Sequence, residues 1–181
     1  MLTITVEQKE LFNEVNSTFI VIPKTELHME HSLISLSKWE SKWKKPFLSS
    51  EDHTKEETLD YIACMCIDKN VDDLIIQNIT MHDYKKILDY ISDQNTATKI
   101  YDRRPQKNGK KEVITSEILY YYMIYYGIPF ECQKWHLNRL LTLVQVCNVK
   151  NAPAKNMSRK DIMAQNKALN AMRRAKHKSR G

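Results

Sequence analysis

The segment 129–148, PFECQKWHLNRLLTLVQVCN, carries the side chains of this sequence that are best suited to chemistry. Cys132 and His136 lie four residues apart, so a helix would present a thiol and an imidazole on the same face. Two more thiols, Cys64 and Cys66, lie in the string CMC. These residue types offer two kinds of chemistry, a zinc site or a cysteine–histidine nucleophile pair.

The spacing of these residues argues against both kinds of site. Structural zinc sites place roughly two to four residues between paired cysteines, whereas Cys64 and Cys66 have a single residue between them. A helical spacing alone gives the pair Cys132 and His136 neither an orienting third group nor oxyanion donors. Glycine-rich phosphate loops, His-Glu-x-x-His and Gly-x-Ser-x-Gly are missing as well. We therefore expect no enzyme activity, no metal and no cofactor.

The same segment has the pattern of a buried helix. Its polar side chains form one narrow stripe on a helix of about 100° per residue: Glu131, Lys134, Asn138, Thr142 and Gln145. Pro129 suits the first position of a helix. His136 and Gln133 fall on the apolar side, where we expect partner backbone groups to satisfy them. The segment therefore predicts a central core helix over 129–148.

Hydrophobic periodicity predicts an α+β fold that is mostly α. Three alternating segments predict a small antiparallel β meander, with strands at 2–6, 17–23 and 25–31. The helical pattern predicts further helices at about 35–45, 54–67, 81–92 and 116–126. A short strand is predicted at 96–102. We expect a globular domain at 1–150, with the meander at about 1–31 and the helical part at about 35–148, followed by a basic linker and helical arm at 151–181.

Local signals mark several positions within these elements. Trp39 and Trp43 share one face of the first helix, which points both indoles into the core rather than toward nucleic-acid bases. In the same helix Glu40 precedes Lys44 by four residues, the favourable order for an ion pair. Thr54 with Glu57 predicts a capping box. Gly127 is placed just after the helix at 116–126, where a left-handed residue ends a helix.

Charge is distributed unevenly along the chain, although its formal net charge is +6. Residues 1–100 carry 11 basic and 17 acidic side chains, and residues 150–181 carry 10 basic and 1 acidic. A second basic stretch, 101–111, is predicted to be a loop. The arm ends in a cluster of cations: Arg173, Arg174, Lys176, Lys178 and Arg180. This cluster is compatible with solvated charge, with docking on an acidic protein or a neighbouring copy, or with unspecific nucleic-acid contact.

The hydropathy of the chain favours synthesis in a reducing cytosol. The most apolar stretch, ILYYYMIYYGIPF, is too short to cross a bilayer. The first residues lack the basic start and apolar run of a signal peptide. We expect no membrane contact and free thiols at all four cysteines: Cys64, Cys66, Cys132 and Cys147.

Several strings resemble the tail assembly chaperones of long-tailed bacteriophages: EHSLISLSKWESKWKKPFLS, ETLDYI, ITSEILYYYMI, IPFECQKWHLNRLLTLVQVCNVKNAPAK and SRKDIMAQNKALNAMRRA. The resemblance implies a non-enzymatic protein that binds the long helical tape-measure protein while the tail tube polymerises around it. The resemblance implies no catalytic or ligand-binding residue in this chain. It implies location in the host cytoplasm and contact with a tail protein.

A holding chaperone needs apolar and aromatic surface, and the helix at 116–126 is rich in tyrosine. We expect the partner-binding surface at Tyr121, Tyr122 and Tyr125, assisted by the basic arm, in a chain that forms homo-oligomers. The alternative is a structural component of the virion, a connector or a tail- or capsid-associated protein, whose arm contacts DNA or a neighbouring subunit.

Overall fold

The computed structural model describes residues 1–13, 17–49, 53–100, 113–152 and 159–177. Within these ranges four β-strands precede seven α-helices and one 3-10 helix. The predicted class, α+β and mostly α with a basic C-terminal helix, is confirmed. The chain divides into two compact units, Met1–Val149 and Lys150–Gly181.

The N-terminal strands form a two-stranded ribbon, which corrects the predicted meander. β1 (Leu2–Val6) pairs with β4 (Thr25–Met29), and β2 (Lys9–Asn13) pairs with β3 (Thr18–Ile22), both antiparallel. The register continues from one pair to the next, so the four strands make one long hairpin. β2 was not predicted because its sequence KELFN places two charged residues beside two apolar ones, without alternation.

The ribbon buries opposite faces in its two halves. Ile4 of the β1–β4 half is buried. By strand alternation Phe12 lies on the same face as Ile4, yet Phe12 and its partner Phe19 are exposed, and Ile22 of the other face is buried. Pro23 lies in the break between the halves and has no N–H to donate to a ladder. The ribbon therefore turns over at this break, and its distal half presents aromatic rings outward.

The helices fill the rest of the chain: α1 (Leu33–Trp43), α2 (Lys55–Met65), α3 (Asp73–Gln77), α4 (Met81–Ser92), α5 (Ser116–Tyr126), the 3-10 helix Phe130–Lys134, α6 (Leu137–Asn151) and α7 (Arg159–His177). α4 and α5 have the bounds that periodicity predicts. The five-residue α3 was not predicted, because it is too short to show a helical period. Residues 96–100 form no strand, and the rest of the strand predicted at 96–102 lies outside the described residues.

The segment predicted as one helix from 129 to 148 is broken in two. The 3-10 helix ends at Lys134 and is followed by Trp135, whose backbone is extended with ψ of 162°. α6 begins at Leu137. The N–H of Leu137 donates to the carbonyl of His31 at 2.6 Å, a contact with the chain before α1. This bond fixes the start of α6, and it is invisible to a helical wheel because the two residues are far apart in sequence.

The core of the first unit lies between the ribbon and the helices. Trp39 of α1 is fully buried, and its Nε1–H donates to the carbonyl of Glu57 at 2.9 Å. Trp43 is half-buried and donates to Asp60 at 2.7 Å, so both indoles point inward as predicted. α2 starts at the capping box that was predicted, since Thr54 accepts the N–H of Glu57 and the Glu57 carboxylate accepts that of Thr54.

Candidate functional site

α5 is held at its first and last residues, which fixes the direction of its faces. The side chain of Thr115 makes no capping bond; instead the N–H of Ser116 donates to the carboxylate of Glu40 in α1 at 2.7 Å. At the other end Gly127 adopts a left-handed conformation with φ of 64°, and its N–H returns to the helix. The helix ends where the sequence predicts.

One face of α5 is buried and the opposite face is exposed. Leu119 and Met123 point into the core, one turn apart. Tyr121, Ile124 and Tyr125 lie on the other side with 59%, 67% and 65% of their surface exposed. Their spacing of three and four residues places them side by side on the helix surface. We call these three residues the α5 aromatic face.

The rings of this face are ordered against each other. Tyr121 and Tyr125 stack with their centroids 6.0 Å apart and their planes 23° apart. Tyr125 also meets Tyr126 edge-on at 4.9 Å. Among the described residues, the hydroxyls of Tyr121 and Tyr125 have no hydrogen-bond partner, whereas the hydroxyl of Tyr126 donates to Asn148 of α6. The two exposed tyrosines thus present both an apolar ring and a polar tip outward.

The predicted contact residues divide between different places. Tyr122 is half-buried, and its ring stacks on that of Tyr126 with the two centroids 6.3 Å apart. Tyr122 therefore lies beside the α5 aromatic face and is not part of it. Arg173, Arg174 and Lys176 are exposed on α7, in the second unit. The predicted residues Lys178 and Arg180 lie outside the described residues.

Ile124 was missed when the contact residues were predicted from the sequence. The prediction counted tyrosines rather than faces, so it made no statement about Ile124. A helical wheel holds the signal: once Leu119 and Met123 are taken as the buried side, Ile124 must point outward. The apolar centre of the exposed face is therefore an aliphatic side chain between two tyrosines.

His136, which the sequence offered as a possible metal ligand or general base, lies in the core beside a second histidine. Its Nε2 bonds the backbone carbonyl of Tyr90 at 2.9 Å, which confirms the predicted backbone partner. Its Nδ1 has no partner among the described residues. The ring of His31 lies 5.1 Å away, and Nδ1 of His31 shares a hydrogen bond of 2.6 Å with the hydroxyl of Tyr61. Neither His31 nor Tyr61 was singled out from the sequence.

Burial keeps His31 neutral. Desolvation, assisted by repulsion from His136, lowers the pKa of His31 from its usual 6.5 to about 3. The same burial raises the pKa of the Tyr61 hydroxyl above its usual range. At neutral pH a neutral imidazole and an un-ionised phenol therefore share a hydrogen bond, and the pair is structural rather than an acid and a base.

The two thiols of the string CMC, Cys64 and Cys66, lack the surroundings of a nucleophile. All four cysteines are free, with Cys132 buried and the others half-buried. Burial raises the pKa of Cys66 to about 11 and that of Cys64 in the same direction. A nucleophilic cysteine needs a lowered pKa. In the part of the chain that the structure describes, no three His, Cys, Asp or Glu side chains are grouped as metal ligands would be.

Among the described residues, none of the helices combines the length and the apolar character needed to cross a bilayer. In comparisons with protein-family models, with curated proteins and with solved structures, nothing matches this chain.

Proposed function

We propose that this chain is a non-enzymatic holding chaperone that binds a helical protein client through the α5 aromatic face. The observation that carries the proposal is the exposure of Tyr121, Ile124 and Tyr125 on one side of a helix whose other side is anchored in the core. Contiguous exposed apolar side chains mark interaction surfaces. Tyrosine suits such a surface because its ring is rigid and its hydroxyl tolerates water when the client leaves.

The shape of this surface favours a helical client. The three side chains form a short ridge along one turn of α5, and a ridge packs into the groove between side-chain rows of another helix. An amphipathic client helix would cover the ridge with its apolar face and leave its polar face in water. Its own apolar stripe would otherwise drive it to aggregate.

The resemblance to phage tail assembly chaperones supplies the class of client. We propose a tape-measure protein or another elongated tail protein, held in the host cytoplasm until the tail tube forms. The proposal needs no metal, cofactor or nucleophile.

Co-expression with a tape-measure fragment tests the proposal. We expect the wild-type chain to keep the fragment in the soluble fraction, and the variant Tyr121→Ala/Ile124→Ala/Tyr125→Ala to lose this effect. The matched control is Phe12→Ala/Phe19→Ala, which removes exposed aromatic rings from the ribbon instead. A cooperative thermal unfolding transition in both variants shows whether each of them is folded.

The basic arm is tested separately by deleting residues 156–181. A partial loss of client solubility in the deletion would assign the arm an assisting role.

Equal client solubility with the wild type and the triple α5 variant would contradict the proposed contact surface. An equal loss with the α5 variant and the ribbon control would show that any exposed aromatic ring suffices.

A second candidate function follows from the exposed cations of α7. Arg173, Arg174 and Lys176 lie together near the end of a helix whose described side chains are all exposed. This arrangement favours a component that remains in the virion and touches DNA or a neighbouring subunit. Mass spectrometry of purified particles separates the candidates, because a chaperone departs and a virion component stays. Contact with DNA would also weaken steeply as salt is added.

A further inference from the structure

A surface groove runs between α2 and the start of α4. Its apolar part has a volume of about 640 Å³ and is lined by Lys55, Leu59, Gln77, Ile79, Met81 and Tyr84. Met81 is 81% exposed, although it is a large apolar side chain at the first position of α4. The groove therefore offers apolar surface that the first unit does not cover with its own described residues.

The groove continues into an acidic part. This part has a volume of about 250 Å³ and shares Leu59 and Gln77 with the apolar part. Its charged lining consists of three carboxylates, those of Glu56, Asp60 and Asp73, and one ammonium group, that of Lys42. Asp60 is paired with Lys42. Glu56 and Asp73 are exposed and have no ion-pair partner among the described residues. We call the two parts together the α2–α4 groove.

α7 has the complementary pattern. Ile162, Leu169 and Met172 lie along one side of the helix at spacings of seven and three residues, and all three are exposed. The exposed cations Arg173 and Arg174 follow directly. A helix that leaves its apolar side in water is stabilised by burying that side against a partner.

Charge decides which kind of partner α7 fits. Residues 150–181 carry 10 basic and 1 acidic side chains, so two such arms repel each other and pairing of α7 with α7 is disfavoured. Residues 1–149 carry 18 basic and 21 acidic side chains. The α2–α4 groove places three carboxylates and two ammonium groups, those of Lys42 and Lys55, beside apolar surface. Of the carboxylates, Glu56 and Asp73 have no ion-pair partner among the described residues. The complement of α7 is thus present on every copy of the chain.

We propose that α7 of one copy docks in the α2–α4 groove of a second copy. Leu169 and Met172 cover the apolar part around Met81, and the cations at the end of the helix approach Glu56 and Asp73. The contact is heterologous, since the arm of each copy fills the groove of the next and leaves one arm and one groove free at the ends. It uses neither Tyr121 nor Tyr125 and is independent of the proposed client surface.

Sedimentation velocity over a range of protein concentrations tests the proposal on the full chain, freed of nucleic acid. We expect the wild type to self-associate, and the association to weaken in high salt because part of the attraction is between charges. An arm variant, Leu169→Asp/Met172→Asp, and a groove variant, Glu56→Lys/Met81→Lys, should each sediment as monomers.

Two matched controls use exposed apolar residues outside the proposed contact. Met163 lies on the side of α7 opposite Met172, and Ile67 follows α2 away from the groove. Met163→Asp and Ile67→Asp should self-associate as the wild type does. The arm variant changes only exposed side chains, so it tests the proposal even where the groove variant proves unstable in thermal unfolding.

Mixing the two variants gives the decisive measurement. The arm variant keeps an intact groove and the groove variant keeps an intact arm, so the mixture should form a heterodimer with a single interface. Docking of α7 within its own chain gives no such recovery. A wild type that stays monomeric at every concentration, a mixture that stays monomeric, or an arm variant that still associates would each overturn the proposal.

Discussion

The carboxylate of Glu40 in α1 accepts two backbone N–H groups, one shortly after the end of α1 and one at the start of α5. Its Oε2 accepts the N–H of Ser116 at 2.7 Å, at the start of α5, and its Oε1 accepts the N–H of Phe47 at 3.0 Å. Glu40 is only 7% exposed. A negative charge at a helix N-terminus is stabilised by the helix dipole, so α1 caps α5 and thereby positions the α5 aromatic face.

Replacing Glu40 should strongly destabilise the first unit. Glu40→Ala removes two charge-assisted hydrogen bonds and leaves two backbone donors without their acceptor, so we expect a loss of about 3 kcal/mol in the free energy of unfolding. Glu40→Gln keeps one acceptor and should lose about half as much. Urea denaturation measures both. The control Glu131→Ala changes an exposed glutamate and should shift stability by less than about 0.5 kcal/mol; a similar value for Glu40→Ala would contradict the capping role.

The role of Glu40 illustrates which features the sequence predicts and which it does not. The local pattern suggested an ion pair with Lys44 one turn later, but Lys44 leaves the helix in a left-handed conformation with φ of 55°. Glu40 bonds instead to Ser116, which lies 76 residues away. Two features that depend on neighbours in sequence were predicted correctly, the capping box at Thr54 and the helix end at Gly127.

The candidate site shows the same division. Periodicity located α5 and its tyrosines, because three or four residues are enough to define a helix face. The break before α6 was not predicted, because it depends on the bond between Leu137 and the carbonyl of His31. The apolar residues on both sides of the break continue one helical pattern, so the wheel showed a single helix. Long-range backbone hydrogen bonds leave no such periodic signal.

Acid should destabilise the protein through His31. Its pKa is about 3 in the folded chain and 6.5 in an exposed imidazole, so between these values only the unfolded chain binds the proton. The contribution to stability is complete above pH 6.5 and is lost as the pH falls toward 3. We expect His31 to account for a decrease of about 2 kcal/mol in the free energy of unfolding between pH 7 and pH 5.

The variant His31→Asn separates the pH dependence caused by His31 from that caused by the titration of carboxylates. Asparagine keeps a polar group near the Tyr61 hydroxyl but does not titrate, so the decrease between pH 7 and pH 5 should shrink by about 2 kcal/mol even if the variant is less stable at pH 7. The control His82→Asn replaces an exposed histidine and should keep the wild-type slope. An unchanged slope in His31→Asn would show that this imidazole is not the group responsible.

A side chain at position 127 should have enough space, but the left-handed backbone conformation there should disfavour any residue other than glycine. A Cβ added at this position meets no atom within 4 Å, so strain can arise only from the φ of 64°. We expect Gly127→Ala to lose about 1 kcal/mol of stability and Gly127→Asn to lose less, because asparagine enters the left-handed region more readily. Thermal unfolding provides the comparison. Equal losses for the two variants would point to a cause other than the backbone conformation.

The exposed pair Phe12 and Phe19 should stabilise the distal half of the ribbon without supporting the core. Their rings lie 5.1 Å apart across the two strands, and both are exposed. Cross-strand aromatic pairs contribute about 0.5–1.5 kcal/mol beyond their buried area. A double-mutant cycle of Phe12→Ala and Phe19→Ala should give a coupling energy in this range by hydrogen exchange of the β2 and β3 amides, while amides in α1 and α5 keep their protection. Lys9→Ala combined with Phe12→Ala serves as the control, since Lys9 and Phe12 lie on opposite faces of the ribbon. Loss of protection in α1 as well would mean that the ribbon and the helical core unfold together.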